Sequence, residues 1–82
     1  MDYAIYKTID GKHTRVIHRF TQDACGHKAK AAARKKLNDM WLHVLNRPAL
    51  SRNAKGTKDE FQYDHISSVN TSERIRFYID KL

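Results

Sequence analysis

A chain of 82 residues with 16 Lys and Arg against 9 Asp and Glu, a net charge of +7, has room for one domain, residues 1–82, with one modest core, which excludes a large buried active-site cavity. No apolar run approaches the roughly 18 to 20 residues that span a bilayer, so no membrane association is expected. A lone cysteine, Cys25, forms no internal disulfide, and the N-terminus lacks the basic and then apolar run of a secretory signal, so the expected setting is reducing and cytoplasmic.

Residues 3 to 20 read as two strands around Asp10-Gly11, a dipeptide that supplies the positive φ angles of a tight hairpin turn. A two-residue turn sets Ile9 opposite Lys12, Ile5 opposite Val16 and Tyr3 opposite His18, so Tyr3, Ile5, Ile9, Val16 and Phe20 form the predicted core face. Tyr6, Thr8, His13, Arg15, Ile17 and Arg19 fall on the other face, which is aromatic and basic. Thr21 or Asp23 can cap a helix, and Ala29, Ala33, Leu37, Met40, Trp41, Val44 and Leu45 recur at three and four residues, which predicts a helix over about 24–46. Leu42 adds to an apolar second half wider than one stripe. Residues 47 to 58 carry Arg47, Arg52, Lys55 and Lys58, no acid, one Pro and one Gly, and read as a mobile basic loop. Two more strands follow, with Phe61, Tyr63 and His65 alternating with Gln62, Asp64 and Ile66, and Ile75, Phe77 and Ile79 alternating with Arg74, Arg76, Tyr78 and Asp80. The predicted fold class is therefore α+β in the order β-β-α-β-β, a four-stranded antiparallel sheet with one helix packed on one face.

The densest signal for function is the stretch Gly26 to Asn38, where Lys28, Lys30, Arg34, Lys35 and Lys36 occur without an acid. These cations repel one another and oppose the positive end of the helix dipole, an arrangement that intrahelical stability does not select. Phosphate oxygens accept them, so Lys28, Lys30, Arg34 and Lys35, with the loop residues Arg52 and Lys55, are the expected phosphate contacts. The uncovered sheet face offers a second mode, with Tyr6 and Tyr78 stacking on bases and Arg15, Arg19, Arg74 and Arg76 taking the backbone. Chemistry of other kinds finds little support. His18, Cys25 and His27, even with His13, His43 and His65, match no zinc spacing, and Cys25 beside His27 lacks an orienting third group. Lys55-Gly56-Thr57-Lys58 lacks the order of a phosphate-binding loop. No metal, cofactor or enzymatic activity is expected.

Residues 3 to 37, a strand, the Asp10-Gly11-Lys12 turn, a second strand and Ala29-Lys30-Ala31-Ala32-Ala33 running to Leu37, resemble the second half of a double-stranded-RNA-binding domain. The resemblance implies that the helix start lies across major-groove phosphates, with Lys30 matching the last lysine of the family's cluster. Gly26 and His27 stand where the other two lysines belong, Lys28 is displaced by one, and the family's preceding helix and first strand have no counterpart. The small size and sheet-plus-helix design are also similar to small phage-encoded inhibitors, including some anti-CRISPR proteins, a likeness of design that carries no motif. Two function classes result: a non-catalytic DNA- or RNA-binding module, or a protein-binding inhibitor or regulator of a nucleic-acid-processing complex that docks on an acidic protein surface. The apolar helix end predicts either a homodimer through Trp41, Leu42 and Leu45, or closure by Pro48, Ala49 and Leu50 folding back.

Overall fold

The computed structural model describes residues 2–21, 28–51, 53–68 and 71–82. Asp10 and Gly11 both adopt positive φ, 53° and 70°, and the Lys12 amide donates to the Ile9 carbonyl at 3.0 Å. The turn expected from Asp-Gly therefore forms. It joins β1, Tyr3–Ile9, to β2, His13–Phe20. The ladder, however, begins at Ile9↔His13 rather than Ile9↔Lys12, and shifts again between Ile5 and Tyr6, so that Tyr6 faces Val16 while Ile5 faces His18 and Tyr3 faces Phe20. Asp10 is also drawn away from β2: its amide donates to the Arg74 carbonyl at 2.9 Å, and its carboxylate accepts from the Arg74 amide at 2.8 Å.

α1, Lys28–Leu45, is followed by α2, Pro48–Ser51, then β3, Lys55–Gly56, β4, Glu60–Ser68, and β5, Thr71–Lys81. Residues 22–27, including the expected cap Asp23 and the pair Cys25 and His27, lie outside the described residues, as does Arg52. The fold is α+β with one main helix, and its antiparallel sheet has five strands in the order β2-β1-β5-β4-β3. The fifth strand and α2 arise within the stretch read from sequence as a loop. Pro48 starts the short helix, a position that needs no amide donor. Gly56 permits β3: a Cβ there would lie 3.0 Å from the Phe61 Cβ and 3.2 Å from the Trp41 ring.

The chain leaves the sheet at the β2 edge and returns at the opposite edge through β3, so α1 must cross the whole sheet. Its 18 residues span about 27 Å, against about 19 Å between the outer strands of a five-stranded sheet. Ala29, Ala33, Leu37 and Val44 form its buried face. They close on Ile5, Phe61, Ile75 and Phe77, with Ile17, Phe20, Met40, Trp41, Leu50 and Tyr63 packed around them. Ile17, not Val16, reaches this core, because the bulge opposite Ile5 and Tyr6 reverses the alternation of β2. Leu50 folds back onto the core through α2 and Trp41 packs against Phe61 at 5.3 Å between ring centroids. Leu42 and Leu45 are left 49% and 42% exposed. The β4–β5 ladder continues past the last β1–β5 pair, Ile9↔Ile75, as a two-stranded arm on which Ile66 is exposed. Among the described residues no helix is long and apolar enough to cross a membrane.

Candidate nucleic-acid interface

Strand alternation and the ladder registers sort the basic residues onto two sides of the sheet. On the open face, Tyr6 pairs with Tyr78, Thr8 with Arg76, and across the next strand Tyr78 with Glu60, Gln62 with Arg76 and Asp64 with Arg74. These residues satisfy one another. The Tyr6 and Tyr78 rings stack at 5.3 Å with an interplanar angle of 15°, and the Tyr6 hydroxyl donates to the Lys81 carbonyl at 3.2 Å. The Arg76 guanidinium lies 4.6 Å from the centroid of the Tyr78 ring and forms an ion pair with Glu60. Arg74 Nε meets Asp64 Oδ1 at 3.4 Å. The buried Thr8 hydroxyl shares a hydrogen bond of 3.1 Å with Thr14.

The open face thus receives Tyr6, Tyr78, Arg19, Arg74 and Arg76, as expected, but not Arg15. Arg15 pairs with Lys7, on the side that carries Ile5, Ile9 and the helix. The sequence reading missed this because it carried one alternation through all of β2, and the bulge opposite Ile5 and Tyr6 breaks it. Lys55 is the reverse case. It pairs with Gln62, which places it at the open-face edge beside Arg76, apart from the helix lysines with which it was grouped.

On the helix side the cations have different surroundings. Lys28 and Lys35 are exposed on α1, and Lys30 is half-buried with its ammonium 5.9 Å from the Tyr3 ring. Among the described residues Arg34 alone on this helix forms an ion pair: its Nε donates to Asp59 Oδ1 at 2.7 Å and its Nη2 to Asp59 Oδ2 at 3.3 Å. The hydrogen bond from Arg34 holds the Asp59 carboxyl below the usual carboxylate range, and the same bond raises the already high Arg34 value. Arg34, Lys35, Asn38, Trp41 and Lys58 line one shallow groove along the helix. Among the described residues, no ion pair is formed by Lys28, Lys30, Lys35 or Lys58.

The structure therefore sets Arg34 and Lys35 beside Lys58, which sequence reasoning did not single out, with Lys30 and Lys58 both in the field of Asp59 and Lys28 two turns before Lys35 on the outward stripe of α1. It also adds Lys7, on the face of Ile5 and Ile9. The signal for Lys7 was present, since it lies two residues from each of them in one strand. For Lys58 there was none, because its place depends on the turn that precedes β4. Among the described residues no cluster of three His, Cys, Asp or Glu side chains could hold a metal ion. No family model, curated protein or solved structure matches this chain.

Proposed function

We propose that the chain is a non-catalytic nucleic-acid-binding module that takes phosphates on its helix side through Lys28, Lys30, Lys35 and Lys58. The observation that carries this reading is the contrast in charge pairing. Arg74 and Arg76 on the open face are paired with Asp64 and Glu60, whereas the helix-side lysines form no ion pair among the described residues, Lys30 and Lys58 meeting only the longer-range field of Asp59, which Arg34 already holds. Unpaired cations clustered on one side are a source of counterion release, and a phosphate backbone supplies acceptors at a matching density. Arg34 contributes as a fixed, partly neutralised guanidinium, and the base-stacking role considered for Tyr6 and Tyr78 is disfavoured by their mutual stacking.

The test is binding of labelled DNA and RNA, single- and double-stranded, over a range of salt. Four phosphate contacts imply a log-log slope of about −3.6 on duplex DNA. Lys28→Glu with Lys35→Glu should weaken every ligand and flatten that slope, while Arg74→Ala with Arg76→Ala should do neither. Affinity independent of salt, or equal loss from both pairs, overturns the proposal.

A second reading, docking on an acidic protein surface as an inhibitor or regulator, is favoured by one observation. Lys28, Lys35 and Leu42 lie two turns apart in succession and so share the outward stripe of α1, with Leu42 and Leu45 half-exposed at its end. An apolar and cationic stripe suits an acidic protein groove, or a second copy of the chain, better than a phosphate backbone alone. Sedimentation equilibrium of the wild type and of Leu42→Glu tests the second copy. A concentration-dependent dimer abolished by the substitution supports it, and a monomer at every concentration excludes it.

A further inference from the structure

The crossing of α1 leaves one corner of its own side of the sheet uncovered, toward the Asp10-Gly11 turn. There the helix flank carrying Lys36, Asp39, Met40 and His43 stands over a floor that includes Tyr63 and Phe77, and the space between them is a groove of about 320 Å³. The floor is aromatic. Tyr63 lies 6.3 Å from Phe77 with an interplanar angle of 24°, and Phe61 packs beside both at 6.3 and 5.1 Å. Tyr63 is the more exposed of the two floor rings, and burial pushes its hydroxyl above the usual phenol value, with Arg47 opposing the shift.

Cations stand at both ends of this floor. Lys36 is on the helix flank, and opposite it the Lys7 ammonium lies 5.9 Å from the Phe77 centroid. Beyond Lys7 the surface continues over Ile9, Lys12, His13 and Arg15. No ion pair is formed by Lys7, Lys12, Arg15 or Lys36 among the described residues.

We propose that this groove receives an unpaired nucleobase stacked on Tyr63, with the flanking phosphates held by Lys36 on one side and by Lys7 and Arg15 on the other. The proposal rests on the nucleic-acid reading above and deepens it: the ligand class is single-stranded nucleic acid. Three features favour a base over an acidic peptide. The partly exposed Tyr63 ring in an aromatic floor offers a stacking surface, which every base can use. The wall carries Asp39, an acceptor, and His43, a donor or acceptor, which suit the amino and carbonyl groups of a base edge. Asp39 also repels an acidic side chain that enters the groove. Bases in a duplex are already stacked and paired, so entry requires a strand whose bases are free.

The test uses the whole chain with short oligothymidylate and oligouridylate, the matching duplexes and polyglutamate as probes. Affinities are read by anisotropy and the groove by the NMR signals of the Met40 methyl and the Tyr63 ring. Single strands should bind more tightly than duplexes at equal salt, and both groove signals should shift on adding them. Lys7→Glu with Lys36→Glu, the first half-buried and the second exposed, should weaken single-strand binding by roughly tenfold or more through the two lost phosphate contacts, and should lessen the preference over duplex. If neither single strand nor duplex binds, the nucleic-acid reading falls and this inference with it. If both bind but the duplex binds as tightly and the Met40 and Tyr63 signals stay still, the groove inference falls while the wider reading stands. If polyglutamate moves the groove signals and the oligonucleotides do not, the groove is a protein site and the inference is wrong.

Discussion

The two sides of the sheet carry similar chemistry to opposite ends. On the open face, Arg74, Arg76, Tyr6 and Tyr78 are taken up by one another and by Glu60 and Asp64 across the β4–β5 and β1–β5 ladders, while Arg19 and Lys55 at its edges form no ion pair among the described residues. On the helix side, Lys28, Lys30, Lys35 and Lys58 form no ion pair among the described residues, and the nearby Asp59 is taken by Arg34. A basic, aromatic surface is therefore a weak guide to binding until its charges are traced to their partners. Cross-strand pairs of opposite charge and of aromatic rings stabilise a sheet by themselves, and residues used that way are not available to a ligand without loss of those contacts.

The contrast can be broken most forcefully from beneath. Leu37, 1% exposed, is the central contact of α1 with the sheet, and Leu37→Ala should cost about 2–5 kcal/mol. Thermal and denaturant melts check the cost. In the surviving folded fraction nucleic-acid affinity should fall, because the helix lysines lose their fixed placement, while the Tyr6–Tyr78 pair, built on the adjacent strands β1 and β5, should persist by NMR.

Gly56→Ala should have a smaller effect, about 1–3 kcal/mol from overpacking, because the added methyl must push Trp41 and Phe61 apart. Trp41 fluorescence should shift with it. An unchanged emission spectrum and melting temperature would show that the β3 edge does not hold the helix in place.

The open face is sharpened by a double-mutant cycle on Tyr6→Leu and Tyr78→Leu. The coupling should be about 0.5–1.5 kcal/mol in stability, with nucleic-acid affinity unchanged in all three variants. Loss of affinity in either single variant would move the binding surface to this face.

The smallest effect concerns Asp59, whose carboxyl is held below its ordinary value by Arg34. A depressed folded-state value means that the pair contributes stability above the ordinary carboxylate value and loses it as pH falls through the folded one. Side chains 37% and 39% exposed make the contribution slight and screened by salt. Asp59→Asn should therefore be slightly less stable than the wild type near neutral pH, and the difference should begin to shrink as pH falls past about 4 and vanish below the folded-state value. Melts across that range read it, and a difference that persists in acid would show that Asp59 acts through something other than its charge.

Much of this molecule was legible in short windows of sequence. The positive φ values of Asp10 and Gly11, the buried stripe Ala29, Ala33, Leu37 and Val44, and the alternation of Phe61, Tyr63, Ile75 and Phe77 each depend on backbone preference or on periodicity within one element. So did the α+β class and the density of cations along α1. Tertiary structure alone decided which cations are free. The bulge opposite Ile5 and Tyr6 turned Arg15 and His13 to the helix side and Val16 to the open face, because a slip of one residue reverses every side chain beyond it. The pairing of Glu60 and Asp64 with Arg76 and Arg74 required the register of β4 on β5. The place of Lys7 and Lys36 around one groove required the diagonal path of α1 from one sheet edge to the other. Each of these is set by contacts between residues far apart in the chain, for which local propensity has no term.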